Sequence, residues 1–266
     1  MTARPIDKVL LYDEGASEAL RLDGVVTYLA GKLGKDKVAL KGNPLAHYPS
    51  KSKALAHKLA SLRIQDAAKK PTPGEAPLYG EVSFEERRLR GKTRAFGVLY
   101  DGFGLAEVFS ELVLPAERSL KRVHIFFTNL LFATWDDNNR HYHARTSIYG
   151  LPSLISTTGL VEAPARSREY YLLKQQYDFL GNNPRGLAAR FKGRFLDYDD
   201  ARLTEAVKGY AMQAIFYHLT GDPFCPDKGC RLYNAHWQED LIFAQFESGY
   251  EFCARHAEIL KGFHQQ

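Results

Sequence analysis

The chain has 266 residues, of which 45% are hydrophobic and 25% are charged, and its formal net charge is +5. These values exclude wholesale disorder and a fibrous protein, and they predict a chain long enough to bury a core of its own. A lysine-rich, solvated surface explains the modest excess of bases better than contact with nucleic acid does.

The hydropathy pattern and the three cysteines indicate the cellular compartment of the protein. The N-terminal segment MTARPIDKVLLYDEG has no apolar run of signal-peptide length, and nowhere do about 18 apolar residues follow one another. Three cysteines fit a reducing compartment, where thiols near a histidine are more plausible as metal ligands than as a disulfide framework. We therefore expect a cytoplasmic protein without membrane contact.

The first forty residues predict a strand, a helix and a second strand. Residues 9–12 (VLLY) are typical of a buried strand, apolar residues then recur at roughly helical spacing over 20–29, and a short strand begins at 38–40. A β-α-β opening predicts a sheet with parallel pairing and helices on its faces.

The next segment predicts a helix, a break and two pieces of sheet. Residues 54–70 keep their leucines on one face, which predicts an amphipathic helix. The sequence PTPGEAP at 71–77 then predicts a hinge or loop rather than a certain domain boundary. Residues 79–84 and 95–100 alternate in the manner of sheet edges and could rejoin the same sheet.

The second half of the chain predicts buried strands followed by helices. The apolar runs at 122–131 (RVHIFFTNLL) and 153–157 (SLIST) are typical of strands covered on both faces. Helical patterns follow at 167–180, at 201–221, which ends on a glycine, and at 235–246. The predicted fold class is therefore α/β (α+β), a mixed sheet with flanking helices in a single domain over 1–266.

All three cysteines lie in the last part of the chain, in pairs. Cys225 and Cys230 form a C-x4-C pair, and Cys253 and His256 form a C-x2-H pair. Three thiolates and one imidazole are the donors of a structural zinc site, with no position left for water. Buried, inert cysteines beside a surface histidine are the alternative. We predict one structural zinc ion, held in a C-terminal region at 218–260.

The helix before these pairs extends the pattern. His218 lies seven residues before Cys225, and Gly221 lies four residues before it. This order resembles the archaemetzincins, a branch of the zinc-dependent metzincin peptidases, whose pattern is HExxHxxGxxHC, then xxxxC, a nearby methionine and a later CxxC that completes a second zinc site. The stretches VEAPARSREYYLLK and CRLYNAHWQE are also similar to those of uncharacterised microbial proteins grouped as metallopeptidases. The resemblance implies a zincin-like core.

The sequence departs from that pattern at the catalytic positions. The first ligand histidine falls on Ala214, the catalytic glutamate on Ile215, and the third histidine on Phe224. Leu232 stands where the family has its methionine. A zincin needs two histidines at i and i+4 to bind the metal, and a glutamate beside the first to accept a proton from the bound water. The resemblance therefore implies a relative that keeps the cysteine zinc site and lacks the peptidase active site.

A relocated hydrolase site is the alternative. His236 and Glu239 lie one helical turn apart, which would allow a base to pair with its orienting carboxylate, and His218 could approach from the preceding helix. Packing of His236 and a favourable interaction of Glu239 with the helix dipole explain the same residues without catalysis. Whether the chain is an enzyme stays open at this point.

Two further groups offer metal ligands. His141 and His143 alternate on a predicted strand and would point to one face, although such a pair is more often simply exposed. Asp197, Asp199 and Asp200 could bind a divalent cation through hard oxygen ligands. Capping of the following helix by Asp200 is the simpler interpretation.

A cleft is expected where strands end. The polar turn at 162–168 (EAPARSR) follows a buried strand, so we predict that it forms the rim of any cleft, lined by Tyr170 and Tyr171. A peptide or protein ligand would suit a peptidase scaffold, but the sequence does not identify a partner. Nucleic acid is disfavoured, because the basic stretch 51–70 has no interleaved aromatic residues on which bases could stack.

Overall fold

The computed structural model of the protein describes residues 4–47, 52–70, 75–91, 95–181 and 184–264. Its strands are β1 (Lys8–Glu14), β2 (Val38–Gly42), β3 (Leu99–Asp101), β4 (Arg122–Thr128), β5 (Leu131–Asp136), β6 (His141–Arg145), β7 (Ser147–Ile148) and β8 (Ser153–Ser156). Its helices are α1 (Leu22–Leu33), α2 (Ser52–Ser61), α3 (Tyr79–Leu89), α4 (Gly102–Ser110), α5 (Thr157–Glu162), α6 (Arg168–Leu180), α7 (Pro184–Arg190), α8 (Leu203–Thr220), α9 (Gln238–Ile242) and α10 (Ala254–His264). The predicted α/β class is confirmed.

The larger sheet has the strand order β2-β1-β4-β8-β7. Its first four strands are parallel, and only β7 runs antiparallel to its neighbour β8. The predicted β-α-β opening is present as β1, α1 and β2. Because the four strands are parallel, their carboxyl ends lie along one edge of the sheet, where Glu14, Thr128 and Ser156 end β1, β4 and β8.

Both faces of this sheet are covered, which explains its continuous apolar sequences. Along β1, Val9 and Leu11 join a core with α1 and α8, whereas Leu10 and Tyr12 join a second core with α2 and α4. Successive side chains of a strand point to opposite faces, so a strand buried on both faces has no polar alternation. The buried strands predicted at 9–12 and 153–157 are found as β1 and β8. The strand predicted over 122–131 is found as β4, but it ends at Thr128, and Leu131 begins β5 of the other sheet.

The helix predicted at 54–70 ends early, because the chain turns to pair with a strand. After α2 ends at Ser61, the amide of Ile64 donates to the carbonyl of Leu99 at 2.8 Å, and the amide of Asp101 donates to the carbonyl of Leu62 at 2.7 Å. The chain thereby joins the edge of a smaller sheet with the order β3-β5-β6. Pairing with a distant segment overrides the helical periodicity.

The sheet edge predicted at 79–84 is wrong, because these residues begin helix α3. The buried residues of this helix are Glu85 and Arg88, which are one turn apart and bond to each other at 2.9 Å. A helix whose buried face carries charges has no apolar stripe, so its period could not be recognised. The other predicted piece, 95–100, holds only the start of β3.

The predicted hinge at 71–77 falls partly outside the described residues, since 71–74 are not among them. Residues 75–77 are irregular and carry no strand or helix. Within the described part of the chain, none of the helices combines the length and the apolar character needed to cross a bilayer.

Helix α8 runs from a cavity to the loop that carries Cys225. It has 18 residues and is buried along most of its length against the larger sheet and α1. At a rise of about 1.5 Å per residue it is about 27 Å long. Its first residue, Leu203, lines a cavity, and its last turn leads through Gly221, whose φ of 81° favours glycine, into the loop that carries Cys225.

Candidate metal centre

Four side chains from two segments converge beyond the end of α8. Cys225 and Cys230 lie in the loop after α8, Cys253 precedes α10, and His256 lies in the first turn of α10. Their ligand atoms all lie within 4.8 Å of one another. The two segments are cross-connected, with 3.8 Å between the Sγ atoms of Cys225 and Cys253 and 3.7 Å between Cys230 Sγ and His256 Nδ1.

Local hydrogen bonds shape the first cysteine loop. The amide of Asp227 donates to Cys225 Sγ at 3.4 Å, and the amide of Cys230 donates to the carbonyl of Asp227 at 3.0 Å. The Tyr250 hydroxyl donates to the Asp227 carboxylate, at 2.7 and 2.8 Å from its two oxygens. A Cβ on Gly229 would lie 2.5 Å from this hydroxyl, so a larger residue there would displace the Tyr250 side chain. Tyr250 thus ties this loop to the segment before Cys253.

The site is largely shielded from water, and this decides the charge of its donors. Cys225, Cys230 and His256 are 4%, 0% and 3% exposed. Burial raises the pKa of the Cys225 thiol to about 12, an effect to which the neighbouring Cys230 adds, and burial also raises the pKa of Cys230. Burial lowers the pKa of His256. Without a cation, the two buried thiols therefore hold their protons, and a metal has to displace them.

The donors and their spacing fit zinc. With zinc–sulfur bonds of about 2.3 Å, two sulfurs at corners of a tetrahedron are about 3.8 Å apart, the separation found between Cys225 and Cys253. A disulfide would need about 2.05 Å, and all three cysteines are free. Four protein donors would leave no position for water. Over the described residues, no other group of three or more His, Cys, Asp or Glu side chains converges in this way.

The positions that the sequence pattern assigns to catalysis are filled by apolar side chains. On α8, Ala214 is 1% exposed and Ile215 is 0% exposed, and both belong to the core shared with the sheet. Phe224, in the following loop, is half-buried and contacts Tyr149 edge to face, with 5.9 Å between ring centroids. These side chains offer packing and no donor to a metal.

His218 is buried at the end of α8 and is 5% exposed. It is hydrogen-bonded to the backbone of Pro5, and the amide of Arg4 donates to the carbonyl of Leu219 at 3.1 Å, so the end of α8 anchors the N-terminal segment. Burial lowers the pKa of His218, and Arg4 lowers it further. Its Nε2 atom is buried without a hydrogen-bond partner.

Comparison with known proteins gives one match. Residues 5–263 match the sequence profile of a family described as a probable metallopeptidase family (DUF6775). The chain belongs to this family. No curated protein and no solved structure matches it. Membership of a metallopeptidase family agrees with a cluster of side chains that could hold a metal ion.

The residues of the predicted relocated site lie in different surroundings. His236 and Glu239 are exposed, and Glu239 forms an ion pair with Arg194, whereas His218 is buried. In the part of the chain that the structure describes, these three do not form a group of metal ligands. The relocated hydrolase site of this family member stays a prediction.

The other candidate ligands take part in surface contacts. The rings of His141 and His143 are 5.6 Å apart on β6, and His143 lies 3.8 Å from the carboxylate of Asp136. In the loop before α8, Asp199 accepts from the hydroxyl of Ser17 at 2.9 Å, and Asp200 accepts from the amide of Arg202 at 2.8 Å. The Asp200 contact resembles the predicted cap, although it precedes the first helical turn.

A cavity of about 860 Å³ opens at the carboxyl ends of the parallel strands, as the sheet rule predicts. The predicted rim and lining are wrong, because the cavity is lined neither by the turn at 162–168 nor by Tyr170 and Tyr171. Arg166 and Tyr170 instead stack on each other at 4.8 Å beside Phe195. The lining includes Arg88 and Asn129, which sequence reasoning missed. The only signal was the pair Glu85 and Arg88, one helical turn apart and just after the residues 79–84 that were assigned to a strand.

Proposed function

We propose that this member of the metallopeptidase family binds one structural zinc ion and lacks the archaemetzincin peptidase site, so that it serves as a binding protein on a zincin-like scaffold. The observation that carries this proposal is the convergence of Cys225, Cys230, Cys253 and His256 with all ligand atoms within 4.8 Å. Peptides or proteins are the ligand class that such a scaffold suits.

The structural role of the metal follows from the donors. Three thiolates and one imidazole complete a tetrahedron, so that no coordination position remains for a water molecule or a substrate. Zinc, when bound, would cross-link the loop after α8 to the start of α10 and hold the thiols as thiolates. The residues 221–253 contain only one short helix and one π-helical turn, so a cross-link there adds stability that regular structure does not supply.

The loss of peptidase chemistry follows from α8. Zincin hydrolysis needs two histidines on one helix face and a glutamate to accept a proton from the metal-bound water. The corresponding positions hold Ala214 and Ile215, both buried in the apolar core. The remaining helix histidine, His218, is turned towards the backbone of Pro5. One histidine cannot hold a catalytic metal on this helix.

Metal analysis of protein purified without chelators tests the proposal. We expect one zinc per chain, and an X-ray absorption spectrum with three sulfur and one nitrogen neighbours. Replacing Cys230 with serine should abolish binding, whereas the control replacement His236→Ala, in an exposed histidine outside the cluster, should leave one zinc. A zinc content near zero in folded protein would remove the structural-zinc proposal.

The same preparation separates the proposal from the relocated hydrolase site. Zinc-loaded protein should not cleave a mixed peptide library, and His218→Ala should leave the zinc content unchanged. A second metal that is lost in His218→Ala, together with peptide cleavage that is lost in Glu239→Gln, would establish the hydrolase instead.

A further inference from the structure

The cavity at the other end of α8 has the size and position of a ligand site. Its volume of about 860 Å³ lies within the range of small-molecule pockets. It adjoins the ends of β1, β2 and β4 through Glu14, Asn43 and Asn129, and open α/β sheets bind ligands at this edge. None of the four candidate zinc ligands lines it, so it is a separate region from the metal centre.

A buried ionic network forms part of the cavity wall. Arg88, which is 7% exposed, donates from Nη1 to Glu14 at 2.6 Å and from Nε to Glu85 at 2.9 Å. The far oxygens of the carboxylates accept from Thr128 at 2.6 Å and from Tyr100 at 2.7 Å. These contacts fix the guanidinium in one orientation. Burial alone would lower the pKa of Arg88, but Glu14 and Glu85 raise it, so the side chain is charged.

One donor and one acceptor of this wall lack partners. Arg88 Nη2 and the Oδ1 atom of Asn129 are both buried without a hydrogen-bond partner. Leaving a buried polar group unpaired costs about 1–3 kcal/mol, so a ligand group that accepts from Arg88 Nη2 and donates to Asn129 Oδ1 would relieve this cost. Amides and hydroxyls do both. A ligand carboxylate would accept from Arg88, but it would also lie beside Glu14, whose charge Arg88 already balances.

The rim of the cavity favours a cation. Asp13, Asp197 and Asp199 line it, and no salt bridge among the described residues neutralises them. They do not converge as metal ligands within the described ranges, which favours an organic cation over a divalent ion. Phe96 and Tyr198 also line the cavity, edge to face at 5.8 Å between ring centroids, and aromatic rings attract ammonium groups.

We infer that this cavity binds a small organic cation that carries a protonated amine together with a neutral amide or hydroxyl. The amine lies against the carboxylates of Asp13, Asp197 and Asp199, and the neutral group accepts from Arg88 Nη2 and donates to Asn129 Oδ1. Because both of these atoms are shielded from solvent, a small rotation of the Asn129 side chain accompanies binding. The inference is independent of zinc and goes beyond the proposed function.

Calorimetry with L-lysinamide tests the inference, since this probe has two amines and one neutral amide. We expect a Kd of about 1 mM or tighter at low salt, and weaker binding at about 0.15 M salt, where exposed charges are screened. Hexanamide, which lacks the amines, and lysine, which replaces the amide with a carboxylate, should each bind at least about tenfold more weakly.

Two variants assign the contacts. The double replacement Asp197→Asn with Asp199→Asn should weaken lysinamide binding about five- to tenfold, and Asn129→Leu should weaken it about tenfold. The matched control is Asp23→Asn with Asp178→Asn, two exposed carboxylates that do not line the cavity, and it should leave binding unchanged. Zinc content and melting temperature measured on each sample verify folding independently of the ligand.

Three results would overturn the inference. These are no heat with lysinamide in folded wild-type protein, equal binding of hexanamide, and unchanged affinity in the Asp197 and Asp199 double variant. Because zinc is measured on the same samples, a failure of ligand binding is distinguished from a failure of the structural-zinc proposal.

Discussion

The two ends of α8 are both buried and polar, but they differ in how completely their polar groups are matched. At the C-terminal end, four donors face one another across distances that suit a single ion. At the N-terminal end, Arg88 is held by two carboxylates, but its Nη2 atom has no hydrogen-bond partner. The side-chain Oδ1 atom of Asn129 also has none. A closed set of donors suits a structural metal, whereas an incomplete set leaves room for a ligand.

A substitution among the four candidate zinc ligands, at the C-terminal end of α8, should have the largest effect on stability. In Cys230→Ser the most buried ligand is lost, so we expect loss of zinc and a free energy of unfolding lower by about 4 kcal/mol or more. For a chain of this size this corresponds to a melting temperature lower by roughly 10 °C. Calorimetry with and without a chelator measures it. Equal melting temperatures for zinc-loaded wild type and the variant would mean that a metal bound through Cys230 does not stabilise the fold.

At the N-terminal end of α8, loss of the buried ion pairs of Arg88 should lower the free energy of unfolding almost as much. Arg88→Met leaves Glu14 and Glu85 without their shared cation, and breaking a buried pair costs about 3–5 kcal/mol. Urea unfolding measures this loss. The control Arg87→Met removes the exposed arginine one position earlier and should change stability little. Both variants should keep their zinc. Zinc loss in Arg88→Met alone would show that the two ends are coupled.

The pH dependence of stability should report the burial of His218 at the C-terminal end of α8. The pKa of His218 is lowered in the folded state, so the unfolded chain binds more protons once the pH falls below about 6.5. The contribution of neutral His218 is therefore fully present above this pH and is lost as the pH falls towards the folded pKa, with a slope of at most about 1.4 kcal/mol per pH unit.

The variant His218→Phe tests this dependence through the difference from wild type. Denaturant unfolding between pH 5 and pH 8 should show a shallower loss of stability in the variant below about pH 6.5. His236→Phe replaces an exposed histidine and serves as the control. Parallel curves for wild type and His218→Phe would mean that the burial of His218 does not favour its neutral form.

The cluster of four candidate metal ligands was predictable from the sequence, because its donors lie in two short-range pairs. The spacing of Cys225 and Cys230, and of Cys253 and His256, is visible within a few residues, and only the meeting of the two pairs depends on the fold. The buried strands were equally visible, since β1, β4 and β8 consist of continuous apolar residues.

The cavity was not predictable, because its wall is assembled from residues far apart in the chain. Glu14, Arg88 and Asn129 meet only when β1, α3 and the end of β4 come together. Each of them taken alone is typical of a solvated surface. The charged buried face of α3 also concealed its helical period, which is the reason that its first residues were assigned to a strand.

The smallest expected effect concerns how fast the metal exchanges. Tyr250 donates to Asp227, which bonds through its amide to Cys225 Sγ, and this hydrogen bond raises the pKa of Tyr250 to about 12. In Tyr250→Phe the four ligands remain, so one zinc per chain should still bind. The loop that holds Cys225 loses its hydrogen bond to Tyr250, and the loss of a group that supports a metal ligand typically lowers metal affinity about 10- to 100-fold.

We therefore expect faster zinc transfer from Tyr250→Phe to a colorimetric chelator. The control is Tyr79→Phe, which changes an exposed tyrosine distant in sequence. An unchanged transfer rate would mean that the four ligands alone hold the ion and that the loop needs no support from Tyr250.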